Sequence, residues 1–221
     1  MISIALDGPA GAGKSTVAKG VAKELGFIYV DTGALYRTVG LHFLRKGITT
    51  ELECDIESEL KEIAVDIKFV NGEQRVFLNG EDVSEKIRTP EASMMASAVS
   101  AKPPVRAFLL EMQRKLAREN NVIMDGRDIG TVVLPNATLK YFVTATPEER
   151  ANRRYKELKE KGADVDYKAV YDDIVTRDYN DSHREIAPLK PAKDSIMFDT
   201  TGNTLEQSVE ILKKSIKERL G

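Results

Sequence analysis

ISIALDGPAGAGKSTVAKGVAKELG, residues 2–26, contains three readings in succession. Ile2-Ser3-Ile4-Ala5-Leu6 is short, β-branched and apolar, the pattern of a buried parallel strand. Gly8 to Ser15 then meets the spacing G-x-x-x-x-G-K-S/T in full, with Gly8, Gly13, Lys14 and Ser15 at the defining positions. From about Lys14 to Leu25, Val17, Val21 and Leu25 recur on one helical face beside Ala18 and Ala22, and Gly26 ends the helix. A glycine loop between a buried strand and an amphipathic helix is the context in which this motif wraps phosphate. Glycines let backbone N–H groups turn inward around an anion without Cβ atoms in the way. The helix beginning there adds its positive end. Lys14 reaches the β- and γ-phosphates, and the Ser15 hydroxyl can ligate Mg²⁺. Gly8, Pro9, Ala10, Gly11, Ala12, Gly13, Lys14, Ser15 and Thr16 are therefore expected to hold ATP, with Ser15 as the metal ligand.

Working outward, the chain keeps alternating short apolar strands with helices. Phe27–Val30 reads as a strand, and Asp31 or Thr32 caps a helix to about Lys46, stopped by Gly47. Val122–Met124, Leu139–Val143 and Ser195–Asp199 are three further strands. Helices are expected over about Pro90–Ala101, Pro103–Asn120, Pro147–Lys161 and Asp166–His183. A last helix opens on the capping box Thr204 and Gln207, with the apolar stripe Leu205, Val209, Leu212, Ile216. Between about Asp66 and Val83 the pattern changes: two alternating runs are punctuated by Asn71-Gly72 and Asn79-Gly80, strong hairpin turns. The fold class that follows is α/β, a three-layer P-loop fold with a five-stranded parallel sheet flanked by helices. A small antiparallel β piece is inserted into it.

Composition narrows the function classes. The 221 residues fit one large domain or a core with an inserted subdomain. A net charge of −2 argues against a dedicated nucleic-acid binder, which needs a concentrated basic face. Cys54 is the only cysteine, which excludes an intramolecular disulfide and suits a reducing, cytoplasmic setting. No window is long and apolar enough to span a bilayer. No interface motif stands out, so a monomer is expected.

The loop alone does not name the phosphate acceptor. A GTPase would carry a guanine-reading N-K-x-D after a later strand, and Leu139–Val143 leads instead into Thr144-Ala145-Thr146-Pro147. Motor ATPases end a hydrophobic strand in paired acids, a pattern that Asp125 fits only in part. Size and insertion favour a small-molecule kinase. A kinase with another acceptor and a nucleotide-dependent switch module stay as alternatives. Transfer between two polyanions needs several arginines, some on mobile segments. Arg37, Arg106, Arg127, Arg150, Arg153, Arg154, Arg177 and Arg184 stand at expected loop or helix-end positions.

At this point the motifs become specific. GPAGAGKST at Gly8–Thr16, DTGALYR at Asp31–Arg37, GEDVSEKIRTPE at Gly80–Glu91, DGRDIGTVV at Asp125–Val133 and REIAPL at Arg184–Leu189 run in one order across nearly the whole chain. In them the sequence resembles the bacterial cytidylate kinases of the nucleoside monophosphate kinase group. Thr32 stands where relatives often carry Ser, and either hydroxyl can bond a phosphate. The resemblance implies Mg²⁺-dependent transfer of the ATP γ-phosphoryl group to CMP or dCMP, giving ADP and CDP or dCDP. It implies a core at residues 1–31 and 107–221, with a helical lid at about 147–165. It places the acceptor-binding region at 32–106, with its antiparallel insertion at about 65–84. It implies that Thr32, Arg37 and Arg127 hold the CMP α-phosphate, that Ser97, Arg106 and Asp181 read cytosine, and that Asp128 and Arg177 hold the ribose. Lys14, Arg154 and Arg184 would be the catalytic residues, with Arg154 and nearby Arg150 in the lid over ATP and Arg184 aimed at the transferring group. Ser97 and Asp181 enter only through this resemblance.

Overall fold

The computed structural model describes residues 1–221. Five parallel strands form the main sheet: β1 (Ser3–Asp7), β2 (Ile28–Asp31), β6 (Val122–Gly126), β7 (Leu139–Thr144) and β8 (Ile196–Asp199), in the order β2-β6-β1-β7-β8. β1 is central and hydrogen-bonded on both sides, Leu6 lying opposite Asp125 of β6 and Tyr141 of β7. Ile4, Ala5 and Leu6 are wholly buried, which is why the strand reads as a continuous apolar run. Ile4 and Leu6 face α1 (Lys14–Leu25) and α8 (Leu205–Leu220), in a cluster with Val17, Val21, Leu212 and Ile216. Ala5 faces the other way, with Val30, Met124 and Ile129. The loop after β1 thus leaves the middle of the sheet at its carboxyl edge, where open α/β sheets bind ligands.

Residues after β2 build a second body. It comprises α2 (Thr32–Arg45), α3 (Ile56–Lys61), the antiparallel strands β3 (Val65–Val70), β4 (Glu73–Leu78) and β5 (Glu81–Asp82), and α4 (Pro90–Ser100). Its own core includes Leu35, Phe43, Val76, Met95 and Val99, and is closed by Val105 and Leu109 of α5 (Pro103–Glu119). Both Asn-Gly turns have positive φ at both residues, Asn71 and Gly72 at 53° and 79°, Asn79 and Gly80 at 51° and 82°. Two consecutive left-handed residues match the strand twist of a tight hairpin. The third piece is a helical hairpin, α6 (Pro147–Glu160) and α7 (Tyr167–His183), with a small cluster of Ala151, Val170 and Ile174.

Three features differ from the sequence expectation. α3 is an additional helix, capped by Asp55 accepting from the Ser58 amide at 3.2 Å. Ile129–Val133, an apolar run after β6, winds into a π-helical turn. In α8 Val209, Leu212 and Ile216 face the core as expected, joined by the buried Ser208, whereas Leu205 starts the helix and is 45% exposed.

Candidate active site

The phosphate loop is shaped by what surrounds it. Gly8 has φ 149°, and a Cβ there would lie 1.9 Å from the carbonyl oxygen of Val143 on β7, so no side chain fits. Gly13, at φ 83°, caps α1 in the left-handed region. A loop that turns its N–H groups inward sends its carbonyls outward, and buried carbonyls need donors. Three are supplied by side chains: Lys14 Nζ donates to Pro9 O at 2.7 Å, Arg150 Nη1 to Ala10 O at 3.1 Å, and Thr200 Oγ1 to Ala12 O at 3.1 Å. Lys14 is buried, and burial together with the charge of Arg127 pushes its ammonium down to about 7, against the pull of Asp125, Asp7 and Asp181. The Ser15 hydroxyl donates to Asp125 Oδ2 at 2.6 Å, and Tyr29 OH donates to Oδ1 at 3.1 Å. Burial, then repulsion from Asp31, pushes the Asp125 carboxyl up to about 6. A hydroxyl and a carboxylate in contact beside the loop are hard oxygen donors of the kind Mg²⁺ takes.

The groups on the acceptor side come from five elements. Arg37 of α2 donates to Asp31 Oδ2 at 2.7 Å, and Asp31 also caps α2 through Ala34 N at 3.0 Å. The Thr32 hydroxyl donates to the carbonyl of Asp125 at 2.8 Å. Arg127, just past β6, donates to Asp181 Oδ2 of α7 at 2.8 Å. Arg106 of α5 pairs with Asp128, donates to Ser100 O at 3.1 Å, and lies 5.8 Å from the centre of the Tyr36 ring. Burial raises the Asp128 carboxyl despite the Arg106 and Arg184 charges. Arg184 donates to Ala187 O at 2.7 Å; its buried Nη2 has no hydrogen-bond partner and lies 3.7 Å from Asp128 Oδ1. A pocket of about 360 Å³ has Ser97, Ser100 and Ala101 of α4 on one wall and Tyr179, Asp181 and Arg184 on the other.

Residues 4–218 match the model of the family described as Cytidylate kinase. The chain is 55% identical over 216 residues to a cytidylate kinase of Caldicellulosiruptor bescii, covering 98% of this chain and 94% of that protein. It is 49% identical over 216 residues to a cytidylate kinase of Thermosipho melanesiensis, covering 98% and 97%. This chain belongs to the cytidylate kinase family. It is thereby a transferase of the nucleoside monophosphate kinase group. A crystal structure of an uncharacterized protein from Eubacterium ventriosum shares the fold, with a TM-score of 0.55 at 14% identity over 98% of each chain.

For a cytidylate kinase family member, the residues expected from sequence fall into two groups. Ser15 and Thr32 both bond to Asp125, Lys14 lies within the fields of Asp125, Arg127 and Asp181, Arg127 reaches Asp181, Arg106 and Arg184 flank Asp128, Arg37 is held on Asp31, and Ser97 shares a pocket with Asp181 and Arg184. Arg177 lies on α7 beside them, held only by Asp173 at 3.9 Å, and burial lowers its pKa. Arg154 stands apart: it is 42% exposed on α6 and paired with Glu157 at 2.8 Å. Arg150, expected near Arg154 in the lid over ATP, has its guanidinium bound to protein groups. It is 2% exposed and sits beneath the loop, bonded to Ala10, Ala145 and Asp178.

Sequence reasoning missed Asp7, Thr200 and Asp178, and it gave Asp125 only part of its role. Asp7 is buried and accepts from the amides of Ile129 and Gly130, each at 2.7 Å; burial pushes its carboxyl up to about 6. An acid in the last place of a buried strand, directly before Gly8, was the signal available for it.

Proposed function

We propose that this protein transfers the γ-phosphoryl group of ATP to CMP or dCMP, releasing ADP and CDP or dCDP. The observation that carries the reading is the pocket joining Ser97 of α4 to Asp181 and Arg184 at the end of α7, with Asp181 also holding Arg127. Cytosine shows an amino donor at position 4 and acceptors at N3 and O2. Asp181 accepts from the amino group, while Ser97 and Arg106 donate to the other two. Uracil reverses positions 3 and 4, so Asp181 would meet an oxygen. Sites built to satisfy hydrogen bonds reject such analogues strongly.

Arg37, Arg127 and Arg106 are each held on a carboxylate, at Asp31, Asp181 and Asp128. Arriving phosphate takes the place of the carboxylates on Arg37 and Arg127, and cytosine takes the place of Asp128 on Arg106, so no guanidinium is stripped bare. Thr32 turns its hydroxyl from Asp125 O to the α-phosphate, and Asp128 and Arg177 take the ribose. The orphaned Nη2 of Arg184 is a donor that the transferring group satisfies. Lys14 leaves Pro9 O for the β- and γ-phosphates, and Arg154 closes over ATP from α6. Ser15 and Asp125 would hold Mg²⁺, which neutralises charge on the transferring phosphates when bound. Transfer in line needs positioning and charge, and a cleft that excludes water as the competing acceptor. In this reading residues 32–106 form the acceptor-binding body, 1–31 and 107–221 the core, and the stretch near 147–165 the lid.

An acceptor series tests the proposal: ADP release measured with ATP and CMP, dCMP, UMP or AMP in turn. CMP and dCMP are expected to react fastest. Equal rates with AMP and CMP refute the cytosine assignment, and a nucleotide-dependent change of state with no acceptor stimulation refutes the kinase.

A further inference from the structure

Arg150 stands among the charges of PEERANRRYKEL on α6, yet it is the most enclosed of them. Its guanidinium spends every direction on protein. Nε donates to Ala145 O at 2.9 Å, Nη1 to Ala10 O at 3.1 Å and to Asp178 Oδ1 at 2.9 Å, and Nη2 to Asp178 Oδ2. Ala10 lies in the stretch of the loop that the phosphates occupy. The loop and α6 touch so closely that a Cβ on Gly11 would sit 3.2 Å from Cβ of Arg150. Asp178 stands on α7 next to Arg177 and less than a turn before Asp181, and Ser182 Oγ donates to its carbonyl at 2.6 Å. One fork thus reaches both the donor loop and the helix carrying the acceptor-side groups.

We propose that Arg150 and Asp178 are a positioning pair that fixes the phosphate loop relative to α7, and so sets the alignment of donor and acceptor. The inference rests on the transfer reading above and adds a role for two residues whose side chains are engaged with each other and with the protein backbone. Stability alone accounts poorly for the arrangement. The cost of burying a charged pair offsets most of its attraction, and apolar side chains of similar volume do as well. What such side chains cannot do is satisfy the Ala10 carbonyl. A lysine could neutralise Asp178, but a point charge cannot serve Asp178, Ala10 and Ala145 together as a planar fork does. The surroundings also leave the work to the pair. A pocket of about 440 Å³ runs alongside it, lined by Pro9, Thr146, Arg150, Asp178 and Ser182, so no packed core wedges the loop against α7 there.

The test compares Arg150→Lys and Asp178→Asn with the unaltered enzyme in nucleotide-free melting temperature, kcat, the KM of each nucleotide, and the ratio of ADP released to CDP formed. Arg150→Lys keeps a cation opposite Asp178, so the folded protein persists even if Asp178→Asn melts early. A loop displaced by a fraction of an ångström is expected to lower kcat about 10- to 100-fold with both KM values within about threefold. The ADP to CDP ratio is expected to rise above one, because a misaligned donor loses phosphoryl groups to water. A purely structural role would lower the folded fraction and leave that ratio at one. Wild-type kcat and ratio in Arg150→Lys, or a loss of rate that only follows the folded fraction, overturns the proposal. The control separates two failures: no CDP from the unaltered enzyme refutes the reaction and the pair's place in it, whereas CDP from the unaltered enzyme and an unchanged Arg150→Lys refutes the pair alone.

Discussion

Lys14 carries the charge on which the loop's chemistry turns, and its burial makes that charge pH-dependent. Its ammonium is lowered from 10.5 to about 7, so between those values the unfolded chain binds the proton more tightly than the folded one. Through this group, stability of the nucleotide-free protein rises with pH across that window. Asp7 and Asp125 act oppositely: their carboxyls are raised from 3.8 to about 6, so their contribution to stability falls as pH rises through that interval. Phosphates restore the ammonium. Nucleotide binding at pH 8 is therefore expected to take up as much as about one proton. Calorimetry in buffers of different ionisation heat reads this directly, and a binding heat independent of buffer contradicts it. Lys14→Ala is expected to cut kcat by about 100-fold or more while far-ultraviolet dichroism stays unchanged. Asp181→Ala addresses selectivity: the CMP over UMP ratio of kcat/KM should fall by at least about tenfold, since the acceptor for the amino group is gone. A ratio that survives shows that another group reads the base.

The π-helical turn Ile129–Val133 depends on Asp7, whose two carboxylate oxygens each take one of its first amides. Asp7→Asn keeps the shape but turns an NH₂ toward one of those donors. A buried N–H left unpaired costs about 1–3 kcal/mol, so the melting temperature should drop measurably. An unchanged melting temperature removes Asp7 from that role. This turn also marks where sequence reading stops. The strands and long helices were legible because burial on two faces or on one stripe leaves a period: the run Ile4-Ala5-Leu6, the recurrence Val17-Val21, the Asn-Gly pairs. Ile129–Val133 has only a short apolar run, which carries no period of its own, and α3 spans too few residues to show one. The burial of Arg150, which the resemblance places in the lid, was not legible either, because the groups that enclose it lie 140 positions away at Ala10 and 28 away at Asp178. The phosphate loop was legible because backbone geometry imposes glycine at fixed spacing. The proposed base readers Ser97 and Asp181 were not, because a lone polar residue on a helix carries no period and only the pocket unites these two.

At the scale of the molecule, apolar surface and polar pairs divide the labour. Residues after β2 have their own core, the sheet has clusters on both faces, and the α6–α7 hairpin has a third small one. Between these bodies run Arg127–Asp181, Arg106–Asp128, the bond from Arg150 to the Ala10 carbonyl and the reach of Arg184 toward Ser100. A packed core does not slide without losing contact. Ion pairs exchange partners more readily, and a phosphate is as good a partner for arginine as a carboxylate. Motion should therefore concentrate at the cleft, with the bodies moving nearly rigidly as nucleotide replaces Asp31, Asp128 and Asp181 as the partner of each arginine. In the proposed reading each nucleotide would contact a different pair of bodies, ATP the loop and α6, CMP α4 and α7. Full closure then requires both. The radius of gyration from small-angle scattering is expected to fall when a linked bisubstrate analogue is added, and to fall less with ATP analogue or CMP alone. Equal compaction by a single nucleotide would place the hinge within one binding site, and an unchanged radius with the bisubstrate analogue would mean that the cleft is already closed when empty.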